Sequence, residues 1–253
     1  MNPVLEVKDL GIDFGGLTAV NNLDMEVYPN EIVGLIGPNG AGKTTVFNML
    51  TKVYRPTRGQ MFLDGTNIEK MNTVEVNKAG IARTFQNIRL FSNLSVIDNV
   101  KAGMNNLYEY SFFDTIFHTR KRNDNEKLIE QKALDLLEIF NLSEMKDVEA
   151  SALPYGAQRR LEIARALATN PKVLLLDEPA AGMNPQETED LMNTIRFVRD
   201  RFNIAILLIE HDMSLVMNIC ERIYVLNYGT LLAKGGPDEI KNDEKVIKAY
   251  LGD

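Results

Sequence analysis

The 253 residues include 28 Lys and Arg against 35 Asp and Glu, a formal net charge of −7 that repels polyanions and argues against nucleic acid as a partner. Apolar residues at 45% and charged residues at 25% are an ordinary globular composition, which excludes disordered, collagen-like and low-complexity chains. A single cysteine, Cys220, excludes an internal disulfide and a multi-thiolate metal site within the chain, and fits a reducing compartment.

Met1 to Leu10 already contains Glu6 and Asp9 and has no apolar stretch, so it does not read as a secretory signal. Leu5 to Leu10 and Leu23 to Tyr28 alternate as half-buried strands, and Glu31 to Ile36 ends in an apolar run suited to a buried strand. A glycine-rich turn follows at once. From about Asn87 to Glu162 strand patterning gives way to helical patterning, with Ile129, Ala133, Leu136, Leu137 and Phe140 on one apolar stripe. Tyr108 to Asn125 runs from aromatic to basic and polar, and reads as a helix end plus a surface loop. Beyond it, the apolar bursts Val173 to Leu176, Ile204 to Ile209 and Ile223 to Leu226 alternate with helical stretches; one places Leu191, Ile195, Val198 and Phe202 on a single face. This alternation predicts an α/β fold with a mainly parallel sheet and a helical insertion. The expected division is a core of 1–86 with 163–253 and an insertion of 87–162. The longest apolar run, Ile204 to Ile209, is far below the ~18 residues that suggest a membrane span.

Gly37 to Thr45 reads GPNGAGKTT and satisfies the pattern G-x-x-x-x-G-K-[ST] between an apolar strand and a helix. Glycine conformations let successive N–H groups of the loop Gly37, Pro38, Asn39, Gly40, Ala41 and Gly42 converge on phosphate oxygens, with Pro38 taking its place in the loop without an N–H of its own. The following helix turns its positive end toward the same oxygens. Lys43 is placed between the terminal phosphates of a nucleoside triphosphate, Thr44 offers a hydroxyl to Mg²⁺, and Thr45 reaches an inner phosphate. Val173 to Glu178 (VLLLDE) is an apolar strand ending in two carboxylates. Asp177 suits a water-mediated Mg²⁺ ligand and Glu178 a general base for the attacking water. A parallel sheet brings the carboxyl ends of its strands together, so the two loops share one crevice. Three further side chains have two readings each. Gln86 is a ligand of metal water or γ-phosphate, or a plain loop amide; His211 is a γ-phosphate contact or a helix cap; Phe14, in a loop before the cradle, stacks on adenine or belongs to the core.

The order of these segments, with LPYGAQRR at Leu153 to Arg160 standing before VLLLDEP, resembles the ATP-binding-cassette ATPases along essentially the whole chain. The resemblance implies a P-loop NTPase core, an N-terminal antiparallel β subdomain and an inserted α-helical subdomain. It also implies ATP and Mg²⁺ as ligands, and two such subunits, identical or homologous, pairing head to tail. By position, Phe14 corresponds to the adenine-stacking residue, Gln86 to the glutamine loop, and Asp177, Glu178 and His211 to the metal, base and switch residues. Ala181 to Asn184 matches the segment facing the opposite subunit, and Tyr155 and Gly156 belong to the signature loop that meets the opposite nucleotide. The usual signature is L-S-G-G-Q; here Pro154, Tyr155 and Ala157 depart from it, and Asn184 stands where aspartate is typical. FGGLTAVNNL from Phe14, ARTFQNIRLF from Ala82, IEHDM from Ile209, RIYVLNYG from Arg222 and AYLG from Ala249 are similar to the ATPase subunit of bacterial high-affinity branched-chain amino acid importers, which carries extra residues where Tyr108 to Asn125 lie. That likeness implies two membrane permeases gripped near Gln86 to Asn99, an external solute-binding protein, and a peripheral position on the inner face of the cell membrane. The ATPase of a lipopolysaccharide exporter, or a soluble cassette ATPase, is the alternative.

Overall fold

The computed structural model describes residues 1–105 and 120–251, the side chains of 120–123 and 251 excepted. It divides into two units, Met1–Gln86 with Lys172–Asp253, and Asn87–Pro171. The second boundary lies at 171/172 rather than the expected 162/163, because the helix Tyr155–Leu167 runs through that position unbroken and stays with the second unit.

In the first unit, β1 (Leu5–Phe14) and β2 (Leu17–Val27) form a hairpin about Gly15 and Gly16, both at positive φ. The second strand therefore begins six residues before the expected Leu23, since two left-handed glycines make the turn there. Next come β3 (Ile32–Ile36), β4 (Arg58–Leu63), β5 (Thr66–Asn67), β6 (Ile81–Arg83), β7 (Val173–Asp177), β8 (Ala205–Ile209), β9 (Arg222–Asn227) and β10 (Thr230–Gly235). An antiparallel four-stranded sheet has the order β2-β1-β4-β5, and a six-stranded sheet has the order β10-β9-β3-β8-β7-β6. All neighbours in the larger sheet are parallel except the β9 and β10 pair. Every residue of β3, β7 and β8 is buried, which explains why they read as unbroken apolar runs rather than as alternating ones: a parallel strand is covered on both faces.

Register sets the site. Ile209 pairs with both Leu35 and Asp177, so β3, β8 and β7 end level with one another. Because β8 lies between β3 and β7, the turn after Ile209 emerges between the glycine loop and the acidic pair.

The second unit packs Val96–Met104 against Arg120–Ile139 and Tyr155–Leu167. The stripe Ile129, Ala133, Leu136, Leu137 and Phe140 is buried as the period predicts. Gly103 permits a close approach between helices, since a Cβ there would stand 2.4 Å from the Arg165 carbonyl oxygen. Residues 120–125, at the end of the stretch read as a helix end plus a surface loop, open the helix Arg120–Ile139; Asn123, Asp124 and Asn125 are weak helix formers, so the apolar stripe farther along the helix, not local propensity, anchors this end. The remainder of the Tyr108 to Asn125 reading, 108–119, lies outside the described residues.

Candidate nucleotide site

The glycine loop joins β3 to the helix Lys43–Leu50. Gly37, Gly40 and Gly42 have φ of 149°, 78° and 102°, and two of them are also sterically fixed. A Cβ on Gly37 would come within 2.1 Å of the Leu226 carbonyl oxygen, and one on Gly42 within 2.8 Å of that of Ala19. The loop is held from the β9–β10 turn, where the Gly229 N–H donates to the Ala41 carbonyl at 3.0 Å. The Lys43 ammonium reaches back along the loop and donates to the carbonyls of Gly37 and Pro38 at 2.7 and 3.1 Å. Burial lowers its pKa from the ordinary lysine value, and the charges of Glu178 and Asp177 oppose that shift. A cavity of about 400 Å³ opens over the loop, lined by Asn39 to Thr45, by Glu178, and by Leu17, Thr18, Ala19, Tyr228 and Gly229.

The acidic pair closes the other side. Asp177 is 4% exposed, and its Oδ2 accepts from Arg83 at 2.6 Å. Arg83 also donates to Asn48 at 2.7 Å and lies over the rings of Phe47 and Phe85 at 5.5 and 5.0 Å. Sequence reasoning missed Arg83; its signal is a cation in a short apolar strand that runs parallel to the strand ending in Asp177. Glu178 takes φ +45°, a left-handed conformation that costs a non-glycine residue about 1–2 kcal/mol, and its N–H is held by the Ile209 carbonyl at 2.9 Å. The Gln86 amide donates to Glu178 Oε2 at 2.6 Å, and His211 Nδ1 stands 3.6 Å from the same oxygen. Glu178, Gln86 and His211 thus meet at one carboxylate beside the phosphate loop.

His211 is not the helix cap: Asp212 caps Met213–Ile219 by accepting from Ser214 and Leu215. Phe14 is not core, being 42% exposed, and it ends β1 rather than lying in a loop, because its pairing with Leu17 closes the hairpin. Its ring meets Tyr54 edge-on at 5.3 Å. Tyr155 and Gly156 form the first turn of Tyr155–Leu167 in the second unit, with Pro154 at the cap and no side-chain cap bond. The sequence reading also passed over Tyr250: burial raises its hydroxyl pKa, and the Gly37 N–H opposes this by hydrogen bonding to it, so the last helix touches the start of the loop.

The residues suit a magnesium nucleotide. The cradle supplies amides, Thr44 lines the cavity, and the ion pair with Arg83 engages only Oδ2 of Asp177, leaving Oδ1 for a metal-bound water. Among the described residues no group of three or more His, Cys, Asp and Glu could hold a metal alone.

The family model described as ABC transporter matches residues 20–181, and one described as branched-chain amino acid ATP-binding cassette transporter matches residues 230–253. The chain is 49% identical over 253 residues to the high-affinity branched-chain amino acid transport ATP-binding protein LivG of Escherichia coli (strain K12), covering 99% of this chain and 98% of that one. BraF of Pseudomonas aeruginosa, of the same description, is 46% identical over 251 residues, with the same coverage. The lipopolysaccharide export system ATP-binding protein LptB of Haemophilus influenzae is 36% identical over 250 residues, again covering 99% and 98%. The structure is similar to the ADP conformation of MJ1267, an ATP-binding cassette of an ABC transporter, with a TM-score of 0.86, 29% identity and 100% of both chains covered. With a family model spanning the loop and the acidic pair, and relatives near half identity from end to end, this protein belongs to the ABC transporter family and is one of its ATPases.

Proposed function

We propose that the chain is the ATP-hydrolysing subunit of an importer that moves leucine, isoleucine and valine through two membrane permeases. The observation that carries the catalytic part is the meeting of Gln86 and His211 on Glu178 beside the cradle, at 2.6 and 3.6 Å. Asn39 to Thr45 bind the phosphates through backbone N–H groups and Lys43 (residues on which the cavity opens), and Phe14 offers its exposed face to the base. Thr44 and Asp177, with Gln86, would hold Mg²⁺, which supplies neutralisation of phosphate charge. Glu178 takes the proton of the attacking water, and His211 and Gln86 orient that water and the γ-phosphate, so the protein supplies position and charge rather than covalent chemistry.

The transport part rests on the relatives at 46–49% identity, against 36% for the exporter ATPase. A second ATPase subunit, identical or homologous, would offer its Tyr155 and Gly156 turn to this subunit's nucleotide. Pro154 has no N–H, so that contact comes from the remaining amides and the helix dipole. No described helix is long and apolar enough to cross a membrane. Attachment to the inner face would therefore run through permeases, with Phe91 and Leu94, exposed by 53% and 40%, as apolar contacts in the Gln86 to Asn99 segment. A solute-binding protein would deliver the amino acid from the other side.

The test is uptake of radiolabelled leucine into proteoliposomes holding the chain and its permeases. Uptake is expected to require ATP, and Glu178→Gln is expected to keep ATP affinity while slowing turnover by about 10² to 10⁴-fold, the usual worth of a general base. Hydrolysis without uptake of any of the three amino acids would remove the solute assignment. Full turnover in Glu178→Gln would remove the base.

A further inference from the structure

Glu210 has no part in the scheme above, yet it is 1% exposed, and burying a carboxylate is costly unless its oxygens are hydrogen-bonded. Here they are, and the division of partners is informative. Oε1 accepts from the Ala180 N–H at 2.8 Å, while Oε2 accepts from the N–H groups of His211 at 3.1 Å and Asp212 at 3.4 Å. One carboxylate therefore stands between the turn that follows Glu178 and the turn that carries His211. Burial raises its pKa and the three amides oppose the rise.

Both turns are stiff where Glu210 holds them. Ala181 N–H donates to the Glu178 carbonyl at 3.2 Å, and Met183 N–H to that of Ala180 at 3.0 Å, so fixing the Ala180 amide fixes the backbone of Glu178. On the other side Asp212 caps Met213–Ile219, which leaves His211 between that cap and the clamp. The strands leading into the two turns are already paired, Asp177 with Ile209, and the Glu178 N–H donates to the Ile209 carbonyl; the Glu210 bonds extend this attachment beyond the strand ends into both turns.

We propose that Glu210 is a positioning residue of the hydrolysis reaction: its carboxylate locks the Glu178 turn to the His211 turn, so that both side chains address the γ-phosphate in one fixed geometry. A carboxylate is needed because all three partners are donors. Glutamine keeps one acceptor oxygen and turns an NH₂ group toward donors on the other side, so an isosteric change opens one half of the clamp.

The inference rests on the roles given to Glu178 and His211. Steady-state hydrolysis by the full chain is to be measured for Glu210→Gln, His211→Ala and the double variant. Misplaced catalytic groups are expected to lower kcat by about 10 to 100-fold, with KM for ATP within about twofold because the cradle grips the nucleotide; each tenfold is about 1.4 kcal/mol. Because part of the effect of Glu210 runs through His211 and part through Glu178, the double variant is expected to fall below either single one but by less than the product of the two single losses. An unchanged kcat in Glu210→Gln, a rise in KM alone, or multiplying effects in the double variant would overturn the proposal. Should Glu210→Gln not fold, Glu210→Asp, which keeps both oxygens one methylene short, goes through the same cycle with the same outcomes. Full turnover in both His211→Ala and Glu178→Gln would instead sink the site assignment itself, whereas losses there beside an intact Glu210→Gln would sink only this inference.

Discussion

Asp177 and Arg83 each expose 6% of their side chains, at 2.6 Å from one another, and the energetics of such a pair are asymmetric. Making it gains little over an apolar packing, because both ions give up water; removing one partner leaves a buried charge with nothing to balance it. Arg83 Nε lacks a hydrogen-bond partner, so part of its polarity is met only by the flanking faces of Phe47 and Phe85. Replacing Arg83 with Met keeps the volume between the rings and deletes the cation. Urea unfolding should then show Arg83→Met less stable by about 3 kcal/mol. A loss under about 1 kcal/mol would mean that Asp177 does not depend on this cation. Strain at Glu178 points the same way: a glutamate at φ +45° persists only where its surroundings hold it, and both the Ile209 carbonyl and the Gln86 amide do so.

Elements differ in how much of themselves they show in sequence. The buried parallel strands were legible, since Ile32–Ile36, Val173–Asp177 and Ala205–Ile209 are solid apolar runs, and so was the glycine loop, whose spacing has a mechanism. The four-stranded sheet was only partly legible: β1 carries register shifts after Val7, Leu10 and Ile12, and each bulge breaks the alternation that marks a strand. Arg83 and Glu210 escaped notice for a shared reason, since Asp177, which Arg83 pairs with, and Ala180, which Glu210 holds, are 94 and 30 residues away from them and no local period records such pairings. The helix Lys43–Leu50 illustrates a further hidden feature. Beyond its end Lys52 takes φ 60°, is 7% exposed, and donates from Nζ to the Glu69 carbonyl at 3.1 Å. Burial is the main cause that lowers its pKa to about 8, below the ordinary value near 10.4. Between those pH values the unfolded chain binds the proton more readily, so stability on this account should rise with pH above about 8 and level off near 10.4; below 8 the penalty is present in full. Comparing thermal melts of wild type and Lys52→Met from pH 7 to 10.5 isolates it. The variant's relative stability should decline across that window, and a constant difference would show that Lys52 is not desolvated.

At the scale of the molecule the question is what brings two acidic chains together. Each carries −7, so two copies repel at long range; in the proposed head-to-tail pair the nucleotide would supply the attraction, its phosphates standing between the cradle of one chain and the Tyr155–Leu167 helix N-terminus of the other. Hydrolysis would remove that bridge. Glu178→Gln should preserve it, because the cradle is untouched while the proton acceptor is gone. Light scattering on this variant should therefore show a 28.5 kDa species without nucleotide and a mass approaching twice that with saturating Mg-ATP. Raising ionic strength from about 0.01 to 0.15 M shortens the screening length from ~30 to ~8 Å, weakening the long-range repulsion more than the short-range phosphate contacts, so moderate salt should favour the pair. Adding Lys43→Ala, which removes the ammonium that balances the terminal phosphates, should return the monomer. A nucleotide-loaded Glu178→Gln chain that stays at one copy's mass would argue against self-pairing and direct the search to a different ATPase as its partner.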